Sequence, residues 1–292
     1  MPNQFVSGAN LKKAKFRDFK YEKLFGVATA IPNEYSLRKY IKVKDQKDTD
    51  MCCGFGSSIL ADLHEGVETD PLYLFAKIKQ IEGNLGWGAE IQSGMKALVK
   101  YGALEQLLSP YTLNDKTRDW LANWKNWDTV YDVYAKGHLQ KSYFSVKNGF
   151  EYYKSALWKG KDKKDAILTG VMWQSGWQNA KNGVISFEGQ QQGGHIIAVV
   201  GFKNDYLEIV NSYSENVGDV GFYYVHKDIV NKYFVWLSGI VVDMTPEEAK
   251  QLVWGTKEVL WNAIIKTTQT IISKLYDILN STRSLASSRE NS

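Results

Sequence analysis

Two stretches of the sequence decide the fold: DQKDTDMCCGF at 45–55 and GGHIIAVVGFKNDYLEIVNSYSENVGDVGF at 193–222. They carry a carboxamide, a thiol, an imidazole and a second carboxamide, in this chain order: Gln46, Cys52, His195 and Asn211. A thiol acyl-transfer site requires these groups as oxyanion donor, nucleophile, base and orienting partner of the base. The two stretches therefore predict a site that attacks an acyl group through a thiolate.

Cys52 lies where a helix is predicted to begin. Apolar residues recur at three- and four-residue spacing over 55–63, and backbone N–H groups at a helix N-terminus stabilise a thiolate. The neighbouring Cys53 would point about 100° away around the helix, so we expect it to be a small core residue. Gly54 and Gly56 interrupt the pattern at about 1 kcal/mol each against alanine, which predicts close backbone neighbours.

His195 and Asn211 are predicted to share one β-hairpin. A turn at 203–205 would fold the run that starts at His195 back onto the run that ends at Asn211. The two side chains would then share a face of the sheet. Asn211 can accept a hydrogen bond from one ring nitrogen and hold the other toward Cys52. Gln46 and the backbone N–H of Cys52 can donate to the developing oxyanion, a contribution of about 3 kcal/mol.

On these residues the chain resembles the papain-like cysteine peptidases. The six-residue spacing from the glutamine to the nucleophile is kept, and the histidine and asparagine follow at separations close to the ~130–150 residues typical of the family. GGHIIAVVGF at 193–202 is similar to the family's Gly-His strand, and NSYSENVGDVGFYYV at 211–225 is similar to its Asn-Ser-Trp-Gly run. The likeness covers about residues 17–243 and is closest to compact bacterial or phage-type members.

The resemblance implies hydrolysis of peptide bonds in a polypeptide substrate through a thioester, with no cofactor and no metal. It assigns Cys52, His195 and Asn211 to a catalytic triad and Gln46 to the oxyanion hole. It also implies an α+β fold of two lobes, one helical and one β-barrel-like.

The sequence departs from the family pattern near the site. The family's Cys-Gly-Ser-Cys-Trp is TDMCC at 49–53, so its first cysteine and the disulfide are missing. Tyr213 replaces the tryptophan that shields the histidine–asparagine hydrogen bond, and Val217 replaces a second tryptophan. Because the stretch before Gln46 is short, we expect no inhibitory prosegment over the site.

Seven further residues are candidates for contact with the substrate. They are Gly86, Trp87, Gly88, Gly194, Met172, Trp173 and Tyr213. The first three would form a cleft strand that pairs with the substrate backbone, with an ordinary turn as the alternative. The glycine before His195 would leave room for a substrate side chain, and Met172 and Trp173 would line the same pocket. We expect the other histidines, His64, His138 and His226, to be surface or core residues.

The chain is predicted to consist of four parts. These are an extended arm at 1–44, a peptidase domain at 45–243, an amphipathic helical extension at 244–280 and a disordered Ser-rich tail at 281–292. Within the domain, the helical lobe covers about 45–117 and the β-rich lobe about 118–243.

Two predicted helices carry a stripe of aromatic or apolar residues, and the sequence does not decide what each stripe packs against. Aromatic residues spaced by four and three positions over 118–135 predict one helix whose stripe is either core packing or a partner surface. Over 247–280, apolar residues approximate a heptad stripe, which would pack on the catalytic body, a second copy or larger assembly, or a membrane surface. A non-catalytic docking protein that uses this helix is one alternative to the peptidase, and an amidase or isopeptidase is another.

The composition of the sequence limits the partners and the location that we expect for the protein. A net charge of +4 is small and scattered, which argues against nucleic acid as a partner. The two cysteines are adjacent, so we expect no structural disulfide, and no Cys/His spacing suits zinc. No run reaches the length of a signal-peptide core or a membrane span. We therefore expect a soluble protein that is cytoplasmic or carried within a particle.

Overall fold

The computed structural model of the chain describes residues 7–11, 20–245, 247–248, 251 and 264–271. Contacts divide the chain into two units, Met1–Thr245 and Pro246–Ser292. In the second unit, the described residues 247–248, 251 and 264–271 are helical and exposed. Most of the predicted heptad stripe, and the tail at 281–292, lie outside the described residues.

The first unit contains eight α-helices among its described residues, beside several 3-10 turns. They are α1 (Tyr21–Phe25), α2 (Cys52–Glu65), α3 (Pro71–Glu82), α4 (Ile91–Lys100), α5 (Arg118–Ala122), α6 (Val130–Ala135), α7 (Phe150–Lys159) and α8 (Lys227–Tyr233). Across the described ranges of the chain, we find no helix with the length and apolar character needed to cross a bilayer.

Helix α2 begins at Cys52, as the apolar spacing predicts, and its first three turns are buried. Apolar residues of α2, α3 and α4 form the largest part of one hydrophobic core. A side chain at Gly54 would bring its Cβ atom to 2.5 Å from the carbonyl oxygen of Pro71, the first residue of α3. The prediction of close backbone neighbours is therefore confirmed at Gly54, whereas Gly56 lies against the side chain of Leu168.

A single mixed sheet packs against α2. Its strands are β1 (Glu34–Ser36), β2 (Ser142–Ser145), β3 (Ile167–Gln174), β4 (Val184–Ile185), β5 (Gln191–Lys203), β6 (Tyr206–Val210), β7 (Phe222–His226) and β8 (Ser238–Val242). The strand order is β2-β8-β3-β5-β6-β7-β4, and β1 pairs with β5. The long strand β5 thus lies at the centre of the sheet, and its apolar residues are buried from Ile196 to Phe202.

The hairpin of β5 and β6 differs from the predicted one. The turn comprises two residues, because Lys203 pairs with Tyr206, and Asn204 adopts a φ of 51° that asparagine tolerates. With that turn alone, residues 195 and 211 would point to opposite faces, since opposed residues share a face and successive residues alternate. The register shifts by one between Val199 and Gly201, and this β-bulge restores the shared face.

The predicted single helix over 118–135 is wrong. The stretch forms α5, a 3-10 turn at Trp124–Asn126 and α6. Asn123 interrupts it by accepting a hydrogen bond from the backbone N–H of Lys125, and short polar side chains that bond the backbone compete with helix formation. Most of the aromatic stripe nevertheless packs in the core, where Trp127 is buried. Tyr134, at the end of the stripe, is exposed.

Candidate active site

The structure brings His195 and Asn211 into direct contact. His195 Nε2 lies 2.8 Å from Asn211 Oδ1, and the same oxygen accepts a hydrogen bond from the backbone N–H of Ser212 at 2.8 Å. Because a backbone N–H can only donate, it fixes which end of the Asn211 carboxamide is the oxygen. The ring nitrogen that faces this oxygen therefore carries a proton, and Nδ1 becomes the atom for exchange with a thiol.

Cys52 meets the same strand from the helical side. Its thiol receives hydrogen bonds from backbone N–H groups, first among them that of Ile196, the residue after His195. The nucleophile candidate at the start of α2 therefore lies against β5, at the residue that follows His195. Cys53, by contrast, points its thiol at the carbonyl oxygen of Glu90 at 3.4 Å and is a buried core residue, as predicted.

Aromatic rings enclose the imidazole of His195. Tyr213 stacks on it, with ring centroids 5.2 Å apart and planes at 10°, and Trp173 meets it edge-on at 5.4 Å and 75°. Both rings are buried, and Trp173 also packs against Trp177 and Tyr223. Tyr213 thus covers the imidazole although the family tryptophan is absent.

Gln46 is held in one orientation beside this pair. Its Oε1 accepts a hydrogen bond from the hydroxyl of Ser212 at 2.5 Å, and its Nε2 donates to the carbonyl oxygen of Thr49 at 2.6 Å. A carbonyl oxygen can only accept, so the nitrogen must face Thr49. A carboxamide nitrogen carries two N–H groups, and the second remains for an oxyanion. Ser212, whose role the sequence did not reveal, therefore links Asn211 and Gln46.

Burial keeps both reactive groups neutral in this conformation. Burial raises the pKa of the Cys52 thiol to about 12. Hydrogen bonds from the backbone N–H groups of Ile196, Cys53 and Cys52 lower this pKa, but by less than burial raises it. Burial also lowers the pKa of His195 to about 4, although the hydrogen bond to Asn211 raises it. Both shifts favour the uncharged form at neutral pH, the protonated thiol and the uncharged imidazole.

A search of protein-family models and of curated proteins finds no match to this chain. Solved structures do match. Xylellain, a cysteine protease from Xylella fastidiosa, superimposes with a TM-score of 0.66 at 21% identity, over 82% of this chain and 98% of that one. The proCathepsin B S9 of Trypanosoma congolense gives 0.59 at 16% identity, over 80% and 85%. Procathepsin L 3 of the Tenebrio molitor larval midgut gives 0.59 at 16%, over 78% and 75%.

The fold is papain-like. The α+β architecture expected from the resemblance is thereby confirmed. In this papain-like chain, the nucleophile candidate begins the buried helix α2 and the imidazole lies on the central strand of the sheet.

The groove between residues 86–89 and Gly194, which we call the cleft, is occupied by residues 7–11 of the same chain. The backbone N–H groups of Gly8 and Ala9 donate to the carbonyl oxygen of Gly194, both at 3.1 Å. On the other side, Ala9 forms a parallel bridge with Ala89. A short stretch of backbone thus crosses the cleft, and the expected absence of an inhibitory prosegment stays a prediction.

Leu11 of this segment lies in an apolar pocket of the papain-like cleft. A Cβ atom at Gly170 would come within 2.6 Å of Leu11 Cδ2, with Ile91 and Trp236 next nearest. A Cβ atom at Gly194 would lie 2.9 Å from Leu11 Cγ. Two absent side chains thus make room for one leucine, and that Gly194 leaves room for a substrate side chain stays a prediction.

Three of the predicted substrate-binding residues, at 86–88, lie beside the same groove. Residues 86–88 form a loop that is exposed at Gly86 and Trp87 and buried at Gly88. Trp87 donates from Nε1 to the carbonyl oxygen of Ser7 at 2.6 Å. The backbone pairing itself is made by Ala89, one residue later. Ala89 donates to Gly8 O at 3.0 Å and accepts from Asn10 N at 2.9 Å. The side chain of Ala89 is small and fits no motif, so the sequence did not predict this pairing.

The remaining pocket candidates divide between the groove and the core. Met172 is half-buried and pairs with Gly194 across β3 and β5, whereas the ring of Trp173 belongs to the enclosure of His195 described above. Among the residues that the structure describes, no group of three or more His, Cys, Asp or Glu side chains is arranged to hold a metal ion.

Proposed function

We propose that the chain is a cysteine peptidase in which Cys52 is the nucleophile and His195 the acid and base. The observation that carries this proposal is the buried His195–Asn211 hydrogen bond, on the strand whose next residue, Ile196, donates its backbone N–H to the Cys52 thiol. An imidazole oriented by a carboxamide and placed against a thiol at a helix N-terminus is suited to nucleophilic acyl transfer. The papain-like fold supports the same chemistry by analogy.

The reaction follows from the positions of these groups. Cys52 Sγ bonds to the carbonyl carbon of the scissile peptide, and its proton passes to His195 Nδ1. The negative oxygen of the tetrahedral intermediate accepts hydrogen bonds from the second N–H of Gln46 and the backbone N–H of Cys52. As the C–N bond breaks, the imidazolium gives its proton to the leaving amine. Water then attacks the thioester with the imidazole as base, which releases the acid and restores the thiol.

We further propose that the conformation described above is a resting state. Residues 7–11 use the Ala89 backbone pair and the leucine pocket that a substrate would need. A peptide must displace this segment before the thiol can react. Its departure admits water, which returns the pKa values of both reactive groups toward their ordinary range.

Labelling by an epoxysuccinyl peptidase inhibitor tests the function, with the adduct located by intact mass and peptide mapping. We expect one adduct on Cys52 that is absent from Cys52→Ala and His195→Ala, and cleavage of casein that these variants lose while remaining folded. Cys53→Ala is the matched control and should keep both. Wild-type turnover by Cys52→Ala would overturn the proposal. Digestion of peptidoglycan but not casein would favour an amidase instead.

A further inference from the structure

A buried ion pair joins the start of the nucleophile helix to α5. Asp50, two residues before Cys52, has a fully buried side chain and binds Arg118 through both oxygens. Arg118 Nε lies 2.7 Å from Oδ1 and Nη2 lies 2.6 Å from Oδ2. Oδ2 also accepts a hydrogen bond from the backbone N–H of Gly88. The Asp50 carboxylate is therefore tied at once to α5 and to the cleft.

Arg118 also holds the loop at 85–88, which precedes Ala89. Its Nη1 donates to the carbonyl oxygen of Leu85 at 2.8 Å and its Nη2 to that of Gly86 at 2.9 Å. The guanidinium carbon lies 5.5 Å from the ring centroid of Trp87. This planar group binds a carboxylate and two carbonyls together, and a lysine ammonium cannot reproduce that geometry.

These contacts leave Ala89 as the backbone position that pairs with a peptide. The N–H of Gly88 is taken by Asp50, and its carbonyl oxygen accepts from Lys79 Nζ at 2.8 Å. Gly86 donates its N–H to the side chain of Asn84 at 2.9 Å. Ala89, by contrast, directs both its N–H and its carbonyl into the cleft, where residues 8–10 use them.

We propose that the Asp50–Arg118 pair is the device that positions the peptide-binding segment at 85–89 relative to the nucleophile, with Arg118 as a positioning residue. This inference rests on the proposed peptidase function. Because Asp50 is two residues from Cys52, a peptide paired with Ala89 is held in fixed register with the thiol. Loosening the pair should weaken peptide binding more than the chemistry at the thiol.

The pair also has an electrostatic consequence for the nucleophile. The Asp50 carboxylate is one of the groups that raise the pKa of Cys52, after burial itself. The guanidinium of Arg118 neutralises that carboxylate. Arg118→Lys keeps a positive charge but loses the planar contacts, whereas Arg118→Gln removes the charge. The two substitutions therefore separate the positioning of the segment at 85–89 from the effect of charge on the pKa of the Cys52 thiol.

The test measures kcat and KM on a peptide substrate and, separately, the pH dependence of Cys52 alkylation by iodoacetamide, which needs no peptide pairing. All variants carry Gly8→Val, since residues 7–11 use Ala89 and would mask a change in KM. We expect Arg118→Lys to raise KM about tenfold or more, with kcat and the alkylation profile nearly unchanged. Arg118→Gln should raise KM similarly and also shift the alkylation profile to higher pH.

Arg38→Lys is the matched control. Arg38 also binds a carboxylate and a carbonyl, those of Asp219 at 2.5 and 2.9 Å, and lies over the ring of Phe222, away from the cleft. It should leave KM unchanged. If Arg118→Gln does not fold, the double variant Asp50→Asn/Arg118→Gln, which buries no unpaired charge, tests the positioning role in its place: it should raise KM similarly, but without a shift of the alkylation profile to higher pH, since the carboxylate is also gone.

The outcomes separate this inference from the function on which it rests. An active parent whose KM stays within twofold in Arg118→Lys would overturn the positioning role alone. An equal fall of kcat, alkylation rate and melting temperature would also overturn it, because the pair would then be a structural support only. A parent that cleaves no peptide would overturn the proposed function and this inference with it.

Discussion

Replacing Gly8 by valine should release the segment at 7–11 from the cleft. A Cβ atom at Gly8 would lie 2.7 Å from the carbonyl carbon and 2.8 Å from the Cα atom of Asp50. Real Cβ atoms do not approach backbone so closely, and Asp50 is fixed by its ion pair with Arg118. The segment must therefore move away, because the opposing backbone cannot.

The size of the effect follows from the hydrogen bonds that hold the segment. Gly8 and Ala9 donate to Gly194, Asn10 donates to Ala89, and Ala89 donates back to Gly8, all at 2.9–3.1 Å. Each contributes about 0.5–1.5 kcal/mol net. Loss of two or three of them is worth about 1–4.5 kcal/mol. Each 1.4 kcal/mol is a factor of ten, so the open fraction should rise by at least about fivefold and by up to about 1,000-fold.

The assay is the initial rate of Cys52 labelling by an epoxysuccinyl inhibitor, together with the initial rate of casein cleavage. Both should rise in Gly8→Val by the factor given above. Gly137→Val is the control, since no atom lies within 4 Å of a Cβ placed at Gly137. Unchanged rates in a folded Gly8→Val would refute the reasoning, because the segment would then not limit access to the thiol.

Three further predictions concern the support of the site. Tyr213→Ala should lower kcat about tenfold by exposing the hydrogen bond of His195 to water, whereas Tyr213→Trp should retain activity in the same assay. Gly54→Ala should destabilise the chain by about 1–3 kcal/mol in urea unfolding, and Gly137→Ala should not. Hydrogen bonds to carboxylate and amide oxygens outweigh burial and raise the pKa of His64; its stabilising contribution is present below about pH 6.5 and is lost as pH rises. The melting temperature should therefore fall above that pH, and His64→Gln should reduce the fall.

The parts of the site that the sequence predicts are those set by local chain geometry. The Gln46–Cys52 spacing fits one loop that leads into one helix, and helix α2 begins where the apolar periodicity starts. His195 and Asn211 are joined by a single hairpin, so their encounter depends on a short piece of chain.

The parts that the sequence does not predict depend on distant partners. Residues 7–11 have no periodicity of their own and are ordered by backbone contacts with Ala89 and Gly194. The Asp50–Arg118 pair joins residues 68 positions apart, which no spacing argument reaches. The helix expected over 118–135 fails for a different reason, since a polar side chain within it bonds the backbone.

Because of the β-bulge at Val199–Gly201, the number of residues in each strand of the hairpin decides which face of the sheet His195 and Asn211 share. Loss or gain of one residue within a strand, between the bulge and His195 or between the bulge and Asn211, would shift the pairing and turn one of the two side chains to the far face of the sheet. A two-residue change keeps both on the same face, and a change in the length of the turn at 204–205 leaves the pairs where they are. Among relatives of this chain, insertions within these strands should therefore be even in length wherever catalysis is retained, whereas insertions at the turn should be of any length.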